Sequence, residues 1–85
     1  NDDVERVVLK FSKRVAQRVQ NLRYHPSQKV IEVKEDGSVL IQFDVCGLIE
    51  LQTWIMQWGN QVKVLEPLHL RERVKINALE IANIY

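Results

Sequence analysis

Eighty-five residues with 46% apolar content support one modest hydrophobic core and exclude a second, so residues 1–85 are expected to form a single domain. Charged residues make up 27% of the chain, yet the formal net charge is only +1. This balance excludes attraction of nucleic acid or acidic partners by whole-chain charge, and any such binding has to come from a local patch. No apolar run approaches the ~20 residues that cross a bilayer, and Asn1-Asp2-Asp3 has neither the basic start nor the apolar stretch of a signal peptide. No membrane partner is expected, and a cytoplasmic location is. The single cysteine, Cys46, has no internal disulfide partner, and its apolar, strand-like surroundings predict a buried thiol in a reducing compartment. The chain opens without an initiator methionine and its first strand begins almost at once, as expected of a segment of a longer polypeptide.

Val7, Leu9 and Phe11 alternate with Arg6, Val8 and Lys10, and this period of two predicts a strand over 4–11. Ser12 stands where a helix cap belongs, its hydroxyl placed to accept from a backbone N–H of the first turn. Val15, Val19 and Leu22 then predict a helix from Lys13 to about Arg23 that buries this stripe. Pro26 ends the helix, because the residue before a proline is pushed away from helical angles. Val30–Glu35 and Val39–Cys46 read as extended runs, and Asp36-Gly37 between them predicts an antiparallel hairpin. In the second run Val39, Ile41, Phe43 and Val45 share one face while Leu40, Gln42, Asp44 and Cys46 share the other, the pattern of a central strand. Leu48, Leu51, Ile55 and Trp58 predict a second helix that ends at Gly59. Val62, Val64 and Leu65 predict a short fourth strand. Pro67 opens a final helix as its first residue, with Leu70, Val74, Ala78 and Ile81 striping one side.

The order β-α-β-β-α-β plus a helix predicts an α+β fold: a ferredoxin-like antiparallel sheet with an additional C-terminal helix. The first two helices are expected on one sheet face. The other face is left to the third helix, a partner or water.

Several side chains are candidates for chemistry. Lys13, Arg14 and Arg18 place cations on the first helix, Arg14 and Arg18 on one face, where they serve either phosphate binding or solvation. Arg71 and Arg73 flank Glu72 near the start of the last helix. A guanidinium there can hold a phosphate or carboxylate in bidentate fashion, or anchor the helix to Glu66. Tyr24, His25 and Gln28 offer a phenol, an imidazole and an amide in one loop, for a ligand, a partner domain or local turn bonds. Trp58 continues the core stripe and Trp54 flanks it; core packing is the default for both, with an interface as the alternative for Trp54. Ile76, Leu79, Ile81, Ile84 and Tyr85 put apolar groups around more than one side of the helical tail 76–85, which one small domain cannot bury alone, and self-association is the expected remedy. His25 and His69 lack a second ligand at metal-binding spacing, so no metal is expected. With no phosphate loop, nucleophile–base motif or paired carboxylates, neither an enzyme nor a cofactor is expected.

Four ordered motifs, Tyr24-His25-Pro26-Ser27-Gln28, Asp36-Gly37-Ser38, Glu50-Leu51-x-x-Trp54-Ile55 with Gly59, and Val64-Leu65-Glu66-Pro67-x-x-Leu70-Arg71, together resemble the WCX domain. This is the C-terminal extension of WYL-domain transcription regulators, and the resemblance runs from Val7 to about Val74. It implies a bacterial regulator with an N-terminal winged helix-turn-helix and a central WYL domain upstream of this module. It further implies a role in dimerisation and in sensing nucleic acid or nucleotide effectors. The readings kept beside this one are a purely structural dimerisation module and a free-standing ferredoxin-like domain that binds a small molecule or RNA.

Overall fold

The computed structural model describes residues 3–85, and in it the alternation of the first strand becomes burial. In β1 (Val4–Phe11) the side chains of Val7, Leu9 and Phe11 are buried in the core, while Arg6 and Lys10 lie on the other face. The chain continues through α1 (Lys13–Asn21), β2 (Lys29–Val33), β3 (Val39–Cys46), α2 (Ile49–Met56), a 3₁₀ turn (Gly59–Gln61), β4 (Val62–Glu66) and α3 (Leu68–Ile84). The four strands form one sheet in the order β2-β3-β1-β4 with every neighbour antiparallel. It follows that β1 and β2 run parallel with β3 between them, and β3 and β4 run parallel with β1 between them. The fold is α+β, with three helices that include a C-terminal one.

The core lies on one side of the sheet. Val39, Ile41, Phe43 and Val45 of β3 and Val64 of β4 meet Val15, Ala16 and Val19 of α1 and Leu48, Leu51 and Ile55 at α2. Leu70 of α3 enters the same core, so the third helix does not cover the opposite sheet face. That face is mainly polar. The Arg6 guanidinium sits 2.9 Å from Glu66 Oε1 and donates to Gln42 Oε1 at 3.2 Å. Val8, with Gln42 and Glu66 as its cross-strand neighbours, is only 3% exposed, screened by the longer polar side chains around it.

The Asp36-Gly37 hairpin forms as expected, with Gly37 at φ +91°, and a Cβ there would meet Lys13 Cγ at 2.9 Å. Asp36 Oδ1 accepts from the Ser38 hydroxyl at 2.6 Å and from its N–H at 2.9 Å. These two bonds, the hydroxyl first, hold the Asp36 carboxyl below its ordinary range.

Several local expectations are corrected. Helix α1 ends at Asn21 rather than Arg23, and Leu22 is extended and substantially exposed instead of completing the buried stripe. The Ser12 hydroxyl makes no cap bond. It donates instead to Gln61 Oε1, while Ser12 N–H donates to Gln61 C=O at 2.9 Å, tying the start of α1 to the 3₁₀ turn. Helix α2 stops at Met56, where Gln57 and Trp58 switch to the tighter i→i−3 bonds of a 3₁₀ geometry. Pro67 is the cap rather than the first helical residue, extended at ψ 164°, with its C=O accepting from Arg71 N–H. Cys46 is exposed, not buried, because at the end of β3 it falls on the face shared by Gln42 and Asp44.

Candidate functional site

An aromatic seam joins the loop after α1 to the core. Trp54 makes edge contacts with Phe11, Phe43 and Trp58 at centroid distances of 6.0, 5.7 and 5.7 Å. Tyr24 stacks on its ring at 4.3 Å and 17°. The Arg18 guanidinium lies 5.2 Å from the centroid of Trp58, a cation–π arrangement that gives this member of the basic group a partner inside the domain. Trp54 is thus half-buried, and the outer surface of the seam is made by Tyr24 and Arg18.

The loop that follows is wired to its surroundings by side chains. Gln28 Nε2 donates to the carbonyls of Val19 at 3.1 Å and Leu22 at 2.7 Å, while Gln28 Oε1 accepts from Tyr24 N–H at 3.0 Å. These bonds add to the Leu22 N–H bond that the Val19 carbonyl already accepts and serve the Leu22 carbonyl just past the helix end. Ser27 Oγ accepts from Asp44 N–H at 2.8 Å, extending the sheet's bonding past the start of β2, and sits 2.7 Å from His25 Nδ1. Ser27 N–H also donates to that Nδ1 at 3.1 Å, so the ring nitrogen acts as acceptor. All three loop candidates, Tyr24, His25 and Gln28, therefore carry structural contacts. Ser27, which the sequence shows only as a member of the first motif, is thus the residue that joins His25 to the backbone of β3. Gln28→Ala is expected to lower the unfolding free energy by about 1 kcal/mol, since it removes two exposed bonds and one partly buried one; urea denaturation monitored by circular dichroism would measure it.

The cations do not converge. Lys13 and Arg14 are exposed on α1, and the Lys13 stem approaches the hairpin turn at Gly37. On α3, Arg73 Nε donates to Gln52 Oε1 of α2 at 3.1 Å. Arg71 is exposed and has no ion pair among the described residues; its expected structural partner Glu66 is engaged by Arg6. Arg73 lines an open cleft of about 360 Å³ with Glu5, Cys46, Glu50 and His69 at the start of α2. None of the α1 cations lines it. His69 Nε2 lies 3.1 Å from Glu5 Oε1, a contact between α3 and β1 that no local pattern reveals. With two carboxylates facing one guanidinium and one imidazole, the cleft has no excess positive charge for a phosphate. No group of three or more His, Cys, Asp or Glu able to hold a metal is present among the described residues, and none of their helices is long and apolar enough to cross a membrane.

Helix α3 is anchored at one end only. Leu70 is its one buried residue, and Val74 packs against the core from its edge. Beyond that point Ile76, Leu79, Ile81, Ile84 and Tyr85 are all exposed, as the sequence led one to expect of the tail. A shallow apolar groove of about 350 Å³, lined by Met56, Gly59, Val74, Ala78 and Ile81, runs between α2 and this half of the helix.

A four-stranded antiparallel sheet with its helices on one face, and a terminal helix that leaves the core after its first turns, defines a small α+β module. The WCX domain family model matches residues 3–82, and the chain belongs to that family. No curated protein matches it.

Proposed function

We propose that this chain is the C-terminal regulatory domain of a bacterial, cytoplasmic WYL-type transcription regulator, assisting dimerisation and effector sensing rather than catalysing a reaction. Membership of the WCX family supports the regulator context. The sheet order, with each βαβ unit split by one antiparallel strand, supports a ferredoxin-like reading of the fold. The observation that carries the assembly role is the far half of α3, where Ile76, Leu79, Ile84 and Tyr85 are exposed on a helix that the domain itself leaves uncovered. Isolated apolar side chains on a surface are ordinary, but several along one projecting helix are a contact surface. A homodimer buries them, and upstream WYL and helix-turn-helix domains would be held in register by it.

The effector half of the reading rests on Arg14 and Arg71, the arginines whose side chains are left exposed and without a partner among the described residues. They suit a phosphate of single-stranded nucleic acid or a nucleotide. Arg18 and Arg73 are already engaged, which favours the purely structural dimerisation module as the second reading.

Sedimentation equilibrium tests the assembly role. Leu79→Ser combined with Ile84→Ser is expected to weaken self-association of the chain by more than about tenfold, since each change removes roughly 1–2 kcal/mol of buried apolar surface. An unchanged dissociation constant would sink the role of α3.

A further inference from the structure

The sheet has an open edge at β2, on the side away from β4 and α3. Lys34 N–H donates to Ser38 C=O at 2.9 Å, so the backbone of Lys34 points inward to the hairpin partner. The residue before it, Val33, pairs with Val39 and by alternation turns its N–H and C=O outward. Its side chain lies on the core-facing side of the sheet, beside buried Val39, yet is 66% exposed. Val30 and Ile31 on the same strand are also exposed. An apolar strand edge with free backbone groups is a template for another strand.

Charges on an edge strand ordinarily prevent such pairing. Here they block the neighbouring registers and permit one. If two copies of β2 meet antiparallel about a two-fold axis at Glu32, that carboxylate faces itself; with the axis at Lys34, the two ammonium groups face each other. With the axis at Val33, Glu32 of each copy faces Lys34 of the other, twice by symmetry. The same register puts the outward N–H and C=O of Val33 opposite their counterparts, as a hydrogen-bonded antiparallel pair requires. Hydrogen-bond phase admits all three axes, since each sets outward backbone groups opposite outward ones; the charges, which pair within one chain at 3.3 Å, select Val33 among them.

We infer that the β2 edge is a self-recognition surface, at which a second copy of this chain adds its own β2 antiparallel with Val33 on the two-fold axis. The contact rests on the assembly role proposed above but uses a different element from α3. The bulge between Val30 and Glu32 confines regular pairing to the few residues around Val33, so the buried area is below the ~1,000 Å² of an autonomous interface. The contact acts where another tether holds the chains at high effective concentration. Two separate two-fold contacts on one chain build assemblies larger than a dimer.

Disulfide trapping at millimolar chain concentration tests it, in a Cys46→Ser background. Chains carrying Glu32→Cys are mixed with chains carrying Lys34→Cys under a mild oxidant. In the inferred register these positions form a non-hydrogen-bonded pair with close Cβ atoms, whereas each position is beyond the ~7 Å Cα limit from its own copy. The mixed disulfide is expected about tenfold faster than either homodisulfide, and Val33→Pro, which removes an outward N–H and spares the β3 ladder, is expected to abolish the excess. Equal rates, or an excess that survives Val33→Pro, would overturn the inference. Leu79→Ser with Ile84→Ser in the same assay separates the two surfaces: it bears on the α3 reading and leaves the preference for the mixed product unchanged.

Discussion

Leu70→Ala is expected to lower the unfolding free energy by about 2–5 kcal/mol and, more tellingly, to detach α3 from the domain. Leu70 is 0% exposed and is the one buried residue in a helix of 17 residues. The remaining ties of α3 to the domain are the partial packing of Val74, the His69–Glu5 contact and the Arg73–Gln52 bond. Those polar contacts are exposed and each contributes little in water. Hydrogen exchange along α3 would report the result: amides over residues 68–84 should lose protection well before those of β1 and β3. If α3 and the sheet instead lost protection together, the helix would be part of the cooperative core and the single-anchor description would be wrong.

Phe11→Ala is expected to be at least as damaging, at about 3–5 kcal/mol. Phe11 is fully buried at the end of β1 and meets both Trp54 and Trp58 edge-on, at 6.0 and 5.4 Å. Its loss leaves a cavity and also removes two aromatic pairs, each contributing about 0.5–1.5 kcal/mol beyond area burial. Near-ultraviolet circular dichroism should lose tryptophan signal even where the far-ultraviolet spectrum keeps its native shape. Retention of the tryptophan signal, with only a shifted denaturation midpoint, would show that the seam holds its geometry without Phe11.

Strands were the most legible part of the chain. The alternation in β3, and in β1 apart from Val8, matched burial, because a sheet covered on one face converts a period of two directly into inside and outside. The Asp36-Gly37 hairpin was equally plain, since its turn depends on one glycine and one local carboxylate. Helix ends were less so. The end of α1 depends on Gln28, seven residues beyond Asn21, and the end of α2 on a switch in hydrogen-bond spacing, neither of which leaves a periodic trace. Cys46 shows a different failure. The alternation places it with Gln42 and Asp44, and this strand phase overrides the general burial preference of cysteine.

Candidate site residues were legible as types, not as arrangements. Arg14 and Arg18 share one helix face by spacing, yet Arg18 lies over Trp58, forty residues away in the chain. His69 read as isolated, although the fold brings it to Glu5 across the sheet. The projecting tail was visible because its apolar residues occupy too much of the helix circumference for one neighbour to cover. The edge of β2 was not, since which strand lies outermost is decided by the crossovers and not by the composition of the strand itself.

The single anchor of α3 has a mechanical consequence. A helix of 17 residues is a rod of roughly 25 Å, so a tilt of about 10° pivoting near Leu70 carries its tip through about 4 Å. Small repacking around Leu70, Val74 and α2 is thereby geared up into a displacement large enough to realign whatever is bound to Ile84 and Tyr85.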